Sequence, residues 1–182
     1  SPLTGHRGVV RAVAAVVLPD GRPIAVTGGH DGTVRRWDLG TCTQLGSPLT
    51  GHRGVVRAVA AVVLPDGRPI AVTGGHDDTV RVWGLSTGTP AGEPLTGHTS
   101  GVAAVAAVVL PDGRPIAVTG DRGGVVRVWD LHTGTPVGAP LAGVSARALA
   151  VHLGHRPLVV LAGDGLTLAE LHIEPASGAT AP

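Results

Sequence analysis

The sequence predicts an all-β fold, a row of four four-stranded antiparallel sheets, and three observations predict it. The chain repeats every 46 residues, so that Ser1, Ser47, Glu93 and Ala139 open equivalent units. Each unit divides into short runs separated by turns rich in glycine and proline. The runs are valine-rich and apolar with little polar alternation, as strands covered on both faces are. Residues 1–31 and 47–77 are identical, and 105–120 repeats 13–28 without interruption, which excludes chance likeness. A period of this length marks a unit that cannot bury its faces alone and must stack on neighbours.

The elements follow in order within the first unit. Residues 9–18, VVRAVAAVVL, contain enough alanine to permit a helix. Valines dominate the rest, the run is short, and the PDGR turn at 19–22 stops it, so strand is the better reading. PIAVTGG (23–29) is the second strand, HDG (30–32) a tight turn and TVRRWDL (33–39) the third strand. After a further turn, TQLGSPLT (43–50) is the outer strand. The units are therefore 1–46, 47–92 and 93–138, with a degenerate 139–182, and the whole chain is read as one repeat array.

Composition narrows the function. Fourteen arginines, no lysine and 13 acidic residues leave a formal charge of +1 without any run of like charge. That argues against a nucleic-acid or membrane-surface partner. Every apolar run is cut by a Pro-Asp-Gly turn well short of a membrane span. The lone Cys42 cannot form a disulfide within the chain, in keeping with a reducing compartment, and the expected location is cytoplasmic. Absence of Lys, Asn, Phe, Tyr and Met beside abundant Ala, Gly, Val, Pro and Arg has the bias of a GC-rich bacterial genome. The missing initiator methionine and the start at Ser1 inside a unit are read as marks of a piece of a longer polypeptide.

Gly5-His6 and Trp37-Asp38, with thirty residues between them, recur as Gly51-His52 with Trp83-Gly84 and as Gly97-His98 with Trp129-Asp130. In register over three units, this pattern resembles the WD-repeat (WD40) family of β-propellers. The resemblance implies an arc of four blades, the last degenerate or incomplete. It also implies that in each blade a histidine, a threonine, an aspartate and a tryptophan form a buried hydrogen-bonded chain. These are His6, Thr27, Asp31 and Trp37, then His52, Thr73, Asp77 and Trp83, then His98, Thr119 and Trp129. An indole only donates, a hydroxyl does both, an imidazole bridges and a carboxylate accepts, so the four types can satisfy one another away from water.

The third unit has Gly123 where the aspartate belongs, with Asp121, two positions earlier, an open candidate to substitute for it. Its blade is expected to be held less firmly, so that His52→Ala destabilises more than His98→Ala. The fourth has Val144 for histidine, Ala162 for threonine, Glu170 near the tryptophan position and only GDG at the turn. Its C-terminal PASGATAP is a poor outer strand. Arg36, where the other units have Val82 and Val128, is read as a side chain snorkelling at the sheet rim, with presentation to solvent or a partner as the alternative.

Other chemistry fares badly. The nine histidines follow the repeat rather than a ligand spacing, and Cys42 has no companion, so no metal is expected. TGGHDGT lacks the Lys-Ser/Thr of a phosphate loop and precedes a strand. No serine lies in a nucleophile elbow, and three tryptophans are the only aromatics, all assigned to the cores, so base-stacking platforms are missing. No catalysis and no cofactor are expected. What the resemblance implies instead is recognition of a protein or peptide on the face where the GH loop and second turn emerge. The residues exposed there are Arg11, His30, Arg57, His76 and Arg122, with Ala103 in the third unit. Arginine and histidine favour an acidic peptide, because guanidinium binds carboxylate as a fork.

Four blades cover about half of a propeller of eight, so something should complete the arc. Further blades of a longer chain are the first reading. A homodimer forming an eight-bladed ring, with residues 1–4 finishing the partner's last blade, is the second, and a closed four-bladed ring ranks last. The module is thus read as a binding scaffold of a larger bacterial multidomain regulator. The alternatives are a propeller-based enzyme or ligand-binding domain using the central channel, and a structural filler of a longer array.

Overall fold

The computed structural model describes residues 2–143 together with the backbone of strands at 148–152, 158–162 and 166–170. The first sheet takes the order β1 (Val10–Val17), β2 (Pro23–Gly29), β3 (Val34–Asp38) and β4 (Thr43–Gln44), all antiparallel. The second repeats it with β5 (Val56–Val63), β6 (Pro69–Gly75), β7 (Val80–Gly84) and β8 (Thr89–Pro90). In the third, β9 (Val102–Val109), β10 (Pro115–Asp121), β11 (Val125–Asp130) and β12 (Thr135–Pro136) are joined by β13 (Leu141–Ala142), which pairs with β11. A partial fourth sheet has β14 (Ala148–His152), β15 (Leu158–Ala162) and β16 (Leu166–Glu170). Strand wins over helix in VVRAVAAVVL because in its second copy, β5, the alternating side chains sit between two sheets, where β-branched residues pack well.

The outer strand is shorter than 43–50. Gly46 takes φ +65° and Pro48 follows it, so pairing stops after the Leu45 amide, which donates to the Arg36 carbonyl at 2.8 Å, and resumes only where Leu49 bridges Val34. Leu95 bridges Val80 in the same way, and β13 does so for the third sheet. Each sheet thus takes its last edge contact from the opening residues of the following unit.

Successive sheets stack through their first two strands, β1 lying beside β5, β5 beside β9 and β9 beside β14. Small residues make the approach possible. Val56 and Val59 sit over Gly28, where an added methyl would come within 2.5 Å of Val56. Gly74 receives Val102 and Val105 in the same manner. One core therefore joins Ile24, Val26, Val34 and Leu49 to Val56, Ala71 and Trp83, and a second joins Ile70, Val72 and Val80 to Val102, Ala117 and Trp129. Trp83 and Trp129 each face the sheet before their own. The first sheet has no predecessor among the described residues: Val10 and Val13 are 48% and 65% exposed, whereas Val56 and Val102 are 0% exposed.

Val144, the GDG turn at 163–165 and PASGATAP lie outside the described residues, as do the side chains of Ala162 and Glu170.

Candidate functional site

The GH loop, the end of the second strand and the tight turn meet at one edge of each sheet. In the first, the Trp37 indole donates to Thr27 Oγ1 at 2.8 Å and His6 Nε2 lies 2.7 Å from the same hydroxyl. His6 Nδ1 lies 3.0 Å from Asp31 Oδ1. One direction of donation satisfies every group: indole N–H to hydroxyl, hydroxyl O–H to Nε2, Nδ1–H to carboxylate. In that arrangement Nδ1 is the donor and Nε2 the acceptor of the imidazole. In the second sheet the distances are 2.9 Å (Trp83 to Thr73), 2.8 Å (His52 to Thr73) and 3.0 Å (His52 to Asp77). Each carboxylate also accepts from the loop it fixes. Asp31 takes the Arg7 amide and the Thr33 amide and hydroxyl, and Asp77 takes the corresponding groups of Arg53 and Thr79.

Burial opposes ionisation of Asp31 and Asp77, but these amides, imidazoles and hydroxyls outweigh it and hold both below the ordinary carboxylate value. The imidazoles of His52 and His98 are pushed down by burial, against the raising pull of Asp77 and Asp121.

The third sheet corrects the expectation of a weak chain. Trp129, Thr119 and His98 are linked at 2.7 Å each, and His98 Nδ1 lies 2.8 Å from Asp121 Oδ2. Asp121 occupies the place of Gly29 and Gly75, where an added side-chain carbon would point straight at the histidine Nδ1. TGDRGG has thus exchanged the aspartate and glycine of TGGHDG. The carboxylate reaches the imidazole from the strand end instead of the turn, while Gly123 vacates the older position, its would-be methyl 3.3 Å from Asp121 Oδ1. Both side chains of this pair are fully buried, whereas Asp77 keeps 9% exposure. Spacing alone hid this, because a one-sided count treats the position of an aspartate as its reach.

The glycine ahead of each histidine has a reason that sequence reading missed. Arg35, Arg81 and Arg127, two residues before each tryptophan, lay their guanidinium groups against Gly5, Gly51 and Gly97. A methyl on Gly5 would meet Arg35 Nη1 at 2.6 Å and the Trp37 ring at 3.2 Å, and Gly97 also takes φ +141°. Recurrence of arginine at one place in each of the first three units was the available signal.

Arg11 and Arg57 stand at register shifts in β1 and β5, one residue after Val10 and Val56. Such bulges re-aim a side chain out of the ladder. Arg11 Nη2 lies 2.8 Å from His30 Nε2, and His30, His76 and Arg122 are exposed. Their amides are tied to the carbonyls of Val9, Val55 and Gly101, just ahead of each first strand. Ala103, at the third register shift, offers no charge. Arg57 is half-buried, and burial first, then the charges of Arg122 and Arg11, lower its affinity for the proton. Its Nε is buried without a partner. Among the described residues the arginines that pair with carboxylates are Arg22, Arg68 and Arg114, whereas Arg11, Arg57 and Arg122 pair with none of the described carboxylates.

Arg36 is not at a solvated rim. It is buried, and Nη1 crosses to the next sheet and donates to the Leu85 carbonyl at 2.5 Å. Burial lowers its proton affinity. Among the described residues no three His, Cys, Asp or Glu side chains are placed to hold a metal ion together.

A family model described as WD domain, G-beta repeat matches residues 1–38, 42–84 and 88–130, each match ending with the third strand of one of the first three sheets. No curated protein matches the chain.

Proposed function

The chain belongs to the WD40 family, the WD domain, G-beta repeat, and from that membership we propose that it is a scaffold that binds an acidic protein segment through Arg11, Arg57 and Arg122. WD40 repeats commonly serve as protein-binding scaffolds and are typically not catalytic. The observation that carries the proposal is the half-buried Arg57, which feels the charges of Arg11 and Arg122 and pairs with no carboxylate among the described residues. Like charges gathered at one edge cost free energy that an acidic partner would return, with forked hydrogen bonds fixing its orientation. His30, paired to Arg11, and His76 line the same edge. A cytoplasmic setting within a larger bacterial regulatory protein fits the composition, and the chain itself needs no catalytic step. The uncovered valines of β1 support completion of the arc by further sheets of the same kind. A solution mass of two chains would assign that role to a second copy.

The test is fluorescence anisotropy with a labelled, acetylated peptide of alternating Asp and Gly. Saturable binding that weakens with salt and is lost in Arg57→Glu is expected. Binding that Arg57→Glu leaves unchanged, or an equal affinity for the Lys-Gly counterpart, would sink the proposal.

A further inference from the structure

The repeat provides its own comparison between sheet interfaces. At the first, Arg36 fills a groove beneath the turn that follows β7. Its guanidinium takes the Leu85 carbonyl and lies against Gly46 and Gly88, where added methyl groups would collide with it. At the second interface, one repeat later, the corresponding residues are Val82, Leu131, Gly92 and Gly134. Valine is too short to cross. A methyl on Gly92 would meet nothing within 4 Å, and one on Gly134 would meet only Leu95 Cδ2 at 3.5 Å. What remains is a groove of about 590 Å³ over Val82, Leu131 and His132, adjoined by a smaller one of about 290 Å³ that reaches Glu93 and Gly134. No donor among the described residues reaches the Leu131 carbonyl.

We propose that this groove between the second and third sheets is a binding site for a guanidinium group, the side chain of an arginine in a partner peptide. The first interface shows the chemistry such a group finds: a carbonyl acceptor at the end of β7, two glycines leaving a flat slot, and an apolar floor for the methylene stem. The local charges agree. Glu93 stands where the first interface, one repeat earlier, has Ser47, so the interface that lacks an internal arginine has an added carboxylate at its mouth. Asp66 lines the other end and is held by Arg68 at 2.7 Å. The same pair, Asp20 with Arg22, accompanies the buried Arg36 at the first interface, so Arg68 does not forbid a second guanidinium. The site lies at the turn end of the sheets and is separate from the acid-binding edge.

The probe is Nα-acetyl-arginine methylamide, titrated into the full chain while backbone amides are followed by NMR. Saturable shifts at Gly92, Leu131 and Gly134 are expected. The citrulline analogue, equal in shape but uncharged, should bind about tenfold more weakly, and Glu93→Ser should weaken the arginine probe about threefold. Val82→Arg, which supplies the missing side chain from within, should abolish the shifts. Absence of saturable shifts, equal binding of citrulline, or shifts that persist in folded Val82→Arg would overturn the assignment. If Val82→Arg does not fold, Glu93→Ser decides, and an unchanged affinity there counts against the site.

Discussion

Replacing His98 by alanine removes an imidazole bonded at 2.8 Å to Asp121 and at 2.7 Å to Thr119. Asp121 is then left fully buried with the Val125 amide at 2.9 Å as its remaining partner. An uncompensated buried charge costs about 3–5 kcal/mol. The same change at His52 strands Asp77 less severely, because Asp77 keeps the Arg53 amide at 2.8 Å and the Thr79 hydroxyl at 2.9 Å and retains some exposure. About 2–3 kcal/mol is expected there, mostly for lost hydrogen bonds. His98→Ala should therefore be the costlier change by about 1–2 kcal/mol, the reverse of what the absent turn aspartate suggests. Urea unfolding followed by tryptophan fluorescence measures it as a shift in midpoint at constant m-value. Adding Asp121→Asn to His98→Ala removes the stranded charge and should recover about 1–2 kcal/mol. Equal losses for the two histidines, or a larger one at His52, would refute the inference that Asp121 completes the third chain.

Two more outcomes follow from the same turns and imidazoles. Asp78 holds φ +61° where the other units have Gly32 and Gly124, so Asp78→Gly should stabilise the chain by about 0.5 kcal/mol, the relief of a left-handed aspartate less the entropy of glycine; a thermal midpoint that falls would contradict this. Acidification should act in two stages. His52 and His98 have folded values below the ordinary 6.5, so the unfolded chain takes up protons first, and their contribution is complete above about 6.5 and declines as pH falls from there. Asp31 and Asp77, held below 3.8, contribute fully above that value and lose their share only as pH drops through their lower folded values. A urea midpoint that rises between about pH 7 and about pH 5 would contradict the first stage.

The repeat made the strands and turns readable, and the resemblance to WD repeats implied the meeting of His6, Thr27, Asp31 and Trp37, four residue types able to satisfy one another's polar groups. What escaped was determined by reach across space. Asp121 substitutes for an aspartate two positions later because a strand-end side chain and a turn side chain converge on one nitrogen, which linear spacing does not express. Arg36 looked like a rim residue because the carbonyl it needs belongs to the next sheet, 49 positions on in the chain. The outer strand was read too long because Gly46 and Pro48 were given less weight than the apolar residues around them.

Leu49, Leu95 and Leu141 close the sheets that precede their own units. The heritable segment and the structural sheet are therefore out of phase, and a gene cut at the 46-residue joint severs a sheet rather than freeing one. The converse matters for how such an array lengthens. A tandem duplication of one segment arrives already laced to its predecessor, with no fresh edge to be matched by later mutation, and two neighbours that remain letter-for-letter alike over 31 residues are what that mode of growth leaves behind.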